Sequence, residues 1–85
     1  MNAPEIDTAA TALSRACEDL GRASRAVADA CEALKAAIGT AAQPEAHRAL
    51  MRAQARALGA AVAFGAAAKA HATALAHDPE TWGRP

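Results

Sequence analysis

Two cysteines, Cys17 and Cys31, and three histidines, His47, His71 and His77, are the side chains of this chain best suited to chemistry. Thiols and imidazoles raise the question of metal, and a zinc site needs four such ligands converging on one point. These do not converge. Fourteen residues of helix would place the cysteines roughly 21 Å apart, too far to bridge each other. His71 and His77 are six apart, about 240° around a helix, and no Glu stands three residues before a His as carboxylate-bridged bundles require. Thr8, Thr11, Ser14, Ser24, Thr40, Thr73 and Thr81 lack a base with an orienting acid beside them. The chain therefore reads as non-enzymatic, with no metal, cofactor or small-molecule substrate. The cysteines are expected as small buried thiols in an alanine-rich seam. Two of them make no disulfide framework, which fits a reducing, cytoplasmic setting.

Arg48, Arg52 and Arg56, spaced by four, form a basic ridge suited to phosphates, so a nucleic-acid-associated regulator is the alternative function. The competing reading is pairing with the first helix, which would bring Arg52 near Asp29 and Glu32. Exposed pairs of that kind contribute only about 0–1 kcal/mol. Pairing is preferred, because the chain balances nine basic against nine acidic residues. The tail Asp78–Pro85 holds Trp82 and Arg84, residue types enriched at binding hot spots. Trp82 either anchors a partner or folds back toward Ile6 and Leu75.

The elements that would position these groups follow from composition. The chain has 85 residues, 53% of them hydrophobic, yet 29 are Ala and only 11 are Leu, Ile, Val or Phe. So short a chain buries a limited core, and its neutrality argues against disorder. The longest uncharged run, Ala57 to Ala68, is twelve residues, short of the ~20 that span a membrane. No secretory signal opens the chain. With one Phe, one Trp and no Tyr, it lacks a row of aromatic platforms for single-stranded nucleic acid.

Ala is the strongest helix former, and the large residues repeat every seven: Ile6, Leu13, Leu20, Val27 and Leu34, each followed after three by Ala. That is the coiled-coil period. It predicts a first helix over about 4–38, begun by Pro4 with Glu5 and Asp7 and closed by Gly39. A second helix is predicted over about 44–77, opened at Pro44, where its missing N–H is harmless, in preference to the earlier start that a Thr40/Gln43 capping box would give, with Asp78-Pro79 as its stop. Its seam reads Met51, Leu58, Gly65 and Ala72, joined by Ala55, Val62 and Leu75 and, one place earlier, by Leu50, Ala57 and Phe64. A turn at 39–43 folds the two into an antiparallel hairpin. Facing numbers should sum to about 83, setting Val27 against Leu58 and Leu20 against Val62.

The fold class expected is thus all-α, a single domain over 1–85 with an arm at 1–3 and a tail at 78–85. The second helix is apolar all round between Ala57 and Ala68 and should be enclosed on several sides. A second copy would complete a four-helix bundle as a homodimer, and a larger protein is the other solution. The expected function is protein binding, as an adaptor, chaperone-like cap or inhibitor, through Leu58, Val62, Phe64, Trp82 and Arg84.

Overall fold

In the computed structural model, which describes residues 3–77, the chain forms α1 (Ala3–Ala37) and α2 (Gln43–Ala76) packed as an antiparallel hairpin. Both are α-helices, and no strand occurs among the described residues. Each is about 50 Å long at 1.5 Å per residue. The helices begin and end one residue earlier than the sequence predicts.

The turn explains the first boundary. Gly39 adopts φ 81°, the left-handed conformation that ends helices. Ala37 O then accepts from Thr40 N–H at 2.9 Å and from Thr40 Oγ1 at 2.6 Å. Gly39 N–H donates to Gln43 Oε1 at 2.9 Å, so the glutamine reaches back one residue further than a capping box would take it. Thr40 Oγ1 accepts from Ala42 N–H at 3.2 Å, and Gln43 N–H is held by Thr40 O at 3.2 Å. No capping box forms: α2 starts from Ala42 with no side-chain cap and with Pro44 in its opening turn. Gly39→Ala is expected to cost about 1–2 kcal/mol in denaturant unfolding, the penalty for Cβ in this conformation.

On α1 the predicted stripe packs inward. Ile6, Leu13, Leu20, Val27 and Leu34 are half-buried, and the alanines between them include the buried Ala16, Ala23 and Ala37. On α2 the inward stripe differs from the one the sequence suggests first. Leu50, Ala57, Phe64 and His71 are half-buried, as are Ala46, Ala53, Ala60, Ala67 and Ala74. Met51, Leu58 and Val62 are 57, 70 and 74% exposed. The pairings of Val27 with Leu58 and of Leu20 with Val62 are therefore not made.

The helix ends give the physical reason. With Ala37 and Gln43 level across the turn, facing numbers sum to about 80. Ala16 then lies level with Phe64, Ala30 with Leu50, Leu20 with Ala60 and Val27 with Ala53. Large side chains meet alanines rather than one another, which lets the axes approach toward the near end of the usual 8–10 Å range. Gly59 takes no part in this approach. It is exposed, and a Cβ built there meets nothing within 4 Å. Gly59→Ala should raise stability by about 0.5–1 kcal/mol through helix propensity alone; an unchanged or lower unfolding midpoint would contradict that.

Candidate protein-binding face

A two-helix seam leaves two flanks, and their chemistry differs. On one side Asp19, Arg22, Ala23 and Ala26 of α1 line a shallow groove with Arg56, Ala60 and Ala63 of α2. That flank is charged, and Arg22 pairs with Asp19 within it. The other flank carries Cys17, Ser24 and Cys31, spaced by seven on α1, and Ile38 just past its end. They sit roughly 200° round the helix from Asp19 and Ala26 at 100° per residue. From α2 it receives Met51, Leu58, Gly65 and Ala72, again spaced by seven, with Gln54 and Ala61 beside them. None of these ten side chains is Asp, Glu, Lys or Arg, and all are exposed. Val62 stands four residues beyond Leu58, one step further outward. Four exposed large side chains, Ile38, Met51, Leu58 and Val62, thus gather on or beside one uncharged surface.

The predicted interface residues separate accordingly. Leu58 and Val62 are on the exposed surface. Phe64 is not, because it is half-buried in the hairpin seam. Two residues are about 200° around the axis, so Phe64 and Val62 cannot both face α1, and the inward place falls to Phe64. Trp82 and Arg84 lie outside the described residues. The cysteines also depart from expectation: both are free thiols and both are exposed. Their position flanks the seam, and a two-helix structure covers the seam alone. His47 and His77 are exposed at the two ends of α2, whereas His71 is half-buried within the seam. Its place, seven residues after Phe64, was the available signal for this. No cluster of three metal-binding side chains occurs among the described residues.

The arginine ridge is tied to its own helix. Glu45 accepts from Arg48 Nε at 3.2 Å and from Arg52 Nη2 at 3.0 Å, so the pairing of Arg52 with Asp29 and Glu32 is not formed. Glu32 instead meets Lys35 at 3.5 Å. Arg56 makes no ion pair among the described residues and lines the charged groove. The hydrogen bond from Arg52, then that from Arg48 and the charges of both, hold the Glu45 carboxyl below its ordinary value. A depressed carboxylate contributes above its unfolded pKa, and the contribution is lost as pH falls through the folded one. The Glu45 carboxyl should titrate by NMR below an ordinary glutamate and move up in Arg52→Ala; no movement would show the contact to be absent in solution.

By length and composition α2 contains an 18-residue window apolar enough to cross a membrane, none of it buried within the chain. Counting only the uncharged twelve-residue run missed this, because the wider window tolerates isolated charges among its alanines. No family model, no curated protein and no solved structure matches the chain.

Proposed function

We propose that this chain is a non-catalytic protein-binding module, an adaptor, cap or inhibitor, that completes its helical core through the uncharged flank. Either a second copy or the helices of a larger protein would turn the hairpin into a four-helix bundle. One observation carries the reading: among the described residues the only buried hydrophobic side chains are Ala16, Ala23 and Ala37. Leu, Ile, Val and Phe are all half-buried or exposed. Fully burying one such side chain contributes about 1.5–3 kcal/mol, so the stabilisation available from a further neighbour is large.

Insertion of the hairpin into lipid is less well supported. α1 packs along the length of α2, and it carries six acidic and four basic side chains that lipid would desolvate at high cost. Nucleic acid ranks second as a partner, since Arg48 and Arg52 are already engaged by Glu45. Retention on DNA or RNA that fades as salt rises would reverse that order. The direct test is sedimentation at micromolar concentration together with circular dichroism. The mass expected for the free protein is above 8.6 kDa. A fully helical 8.6 kDa species with no affinity for any protein of its host would overturn the proposal.

A further inference from the structure

We infer that the occupant of the uncharged flank is a second copy of this chain, placed so that α1 of each copy covers α2 of the other. The inference rests on the protein-binding reading above and names its partner. The flank runs the length of both helices, about 50 Å, and is two helices wide, about 18 Å at about 9 Å per helix. That is about 900 Å² per copy, close to the ~800 Å² per partner of a stable interface.

Charge then selects the arrangement. α1 holds four basic and six acidic residues and α2 four basic and one acidic, so they are −2 and +3. Two identical flanks can meet about a twofold axis across the helices or one along them. The first sets α1 on α1 and α2 on α2, placing like charges edge to edge. The second sets each acidic helix on a basic one. At the level fixed by the turn, Lys69 then lies near the partner's Asp7, while Arg48 stays with its own Glu45 and Glu32 with its own Lys35. At the open end of each edge opposite charges thus meet, which fixes register and disfavours the like-charged alternative. Cys17 lies against the partner's α2 near the level of Gly65, and both thiols become covered.

Two measurements on the full chain test this. Labelling of Cys17 and Cys31 by a soluble maleimide should slow, on the order of tenfold, as protein concentration rises through the association range. When a Cys31→Ser chain, whose one thiol is Cys17, is mixed with a Cys17→Ser, Cys31→Ser, Gly65→Cys chain, a short thiol-to-thiol cross-linker should join Cys17 of one copy to position 65 of the other, doubling the mass under denaturing conditions. Gly65 suits the change because a Cβ there meets nothing within 4 Å. A dimer that gives no such product, while the wild-type cysteines cross-link between copies, would overturn the arrangement and leave the protein-binding reading standing. A protein whose labelling rate never changes and whose mass stays at one chain would overturn self-association itself. Whether the flank then binds another protein is decided separately, by comparing partner affinity with and without Leu58→Asp.

Discussion

Leu58→Asp is expected to leave a helical hairpin that no longer associates. Leu58 is 70% exposed in the single chain and takes no part in the seam, so α1 and α2 should keep their contact and their helicity. Its place is on the middle of the uncharged flank, where a covering helix would bury it. Losing one such side chain from an interface removes about 1.5–3 kcal/mol, and a twofold arrangement removes it twice. An unpaired carboxylate in the same place adds a desolvation cost. Together these weaken a dimer by on the order of a hundredfold to ten-thousandfold, at 1.4 kcal/mol per factor of ten. Sedimentation should show 8.6 kDa at concentrations where the wild type is larger, with an unchanged circular dichroism spectrum. An undiminished mass would remove Leu58, and the flank with it, from the association.

Ala23→Leu should have the opposite signature, loss of fold rather than loss of partner. Ala23 is 4% exposed, the most buried of the three alanines that line the closest approach of the helices. Three added carbons have no space there, and overpacking of this kind costs about 1–3 kcal/mol. The contrasting change is Ala66→Leu, exposed on the side of α2 away from the seam, which should leave the hairpin's stability within about 0.5 kcal/mol of the wild type. Denaturant unfolding of both at a single protein concentration separates the effects. Equal midpoints would mean that the helices leave room for a leucine at Ala23.

Ala23 belongs to the α1 stripe, in which Leu20 and Val27 flank it at coiled-coil spacing and the charges fall elsewhere. Only one face of α1 could pack, so its burial was legible. α2 has no such asymmetry. Leu50, Ala57, Phe64 and His71 form one seven-residue series, and Met51, Leu58, Gly65 and Ala72 form another a single residue later, about 100° around the axis. Each holds one leucine and one other large apolar residue, Phe64 or Met51, so the sequence pattern gives neither precedence. Leu58 and Val62, expected opposite Val27 and Leu20, lie on the outer surface instead, and Phe64 takes the inward place.

The site followed the same logic. The cysteines were expected to be buried, since seam and flank share small side chains and differ only in what lies opposite. The arginine ridge was visible as a spacing of four, but its partner was not, because Glu45 reaches it along α2 while Asp29 and Glu32 were the nearer acids only in a simple facing scheme. His71 entered the seam by its register with Phe64, although its chemistry pointed toward solvent.

Helix number, helix type, the turn at Gly39 and the inward face of α1 were determined by sequence alone, because propensity, a single apolar stripe and one left-handed glycine each allow a single local answer. Which face of α2 meets α1, and therefore which residues are left to meet something else, was decided only in the tertiary structure. Alanine on every side gives α2 no local preference, so the choice falls to steric fit against α1, whose leucines accept small residues opposite them and turn Met51, Leu58 and Val62 outward.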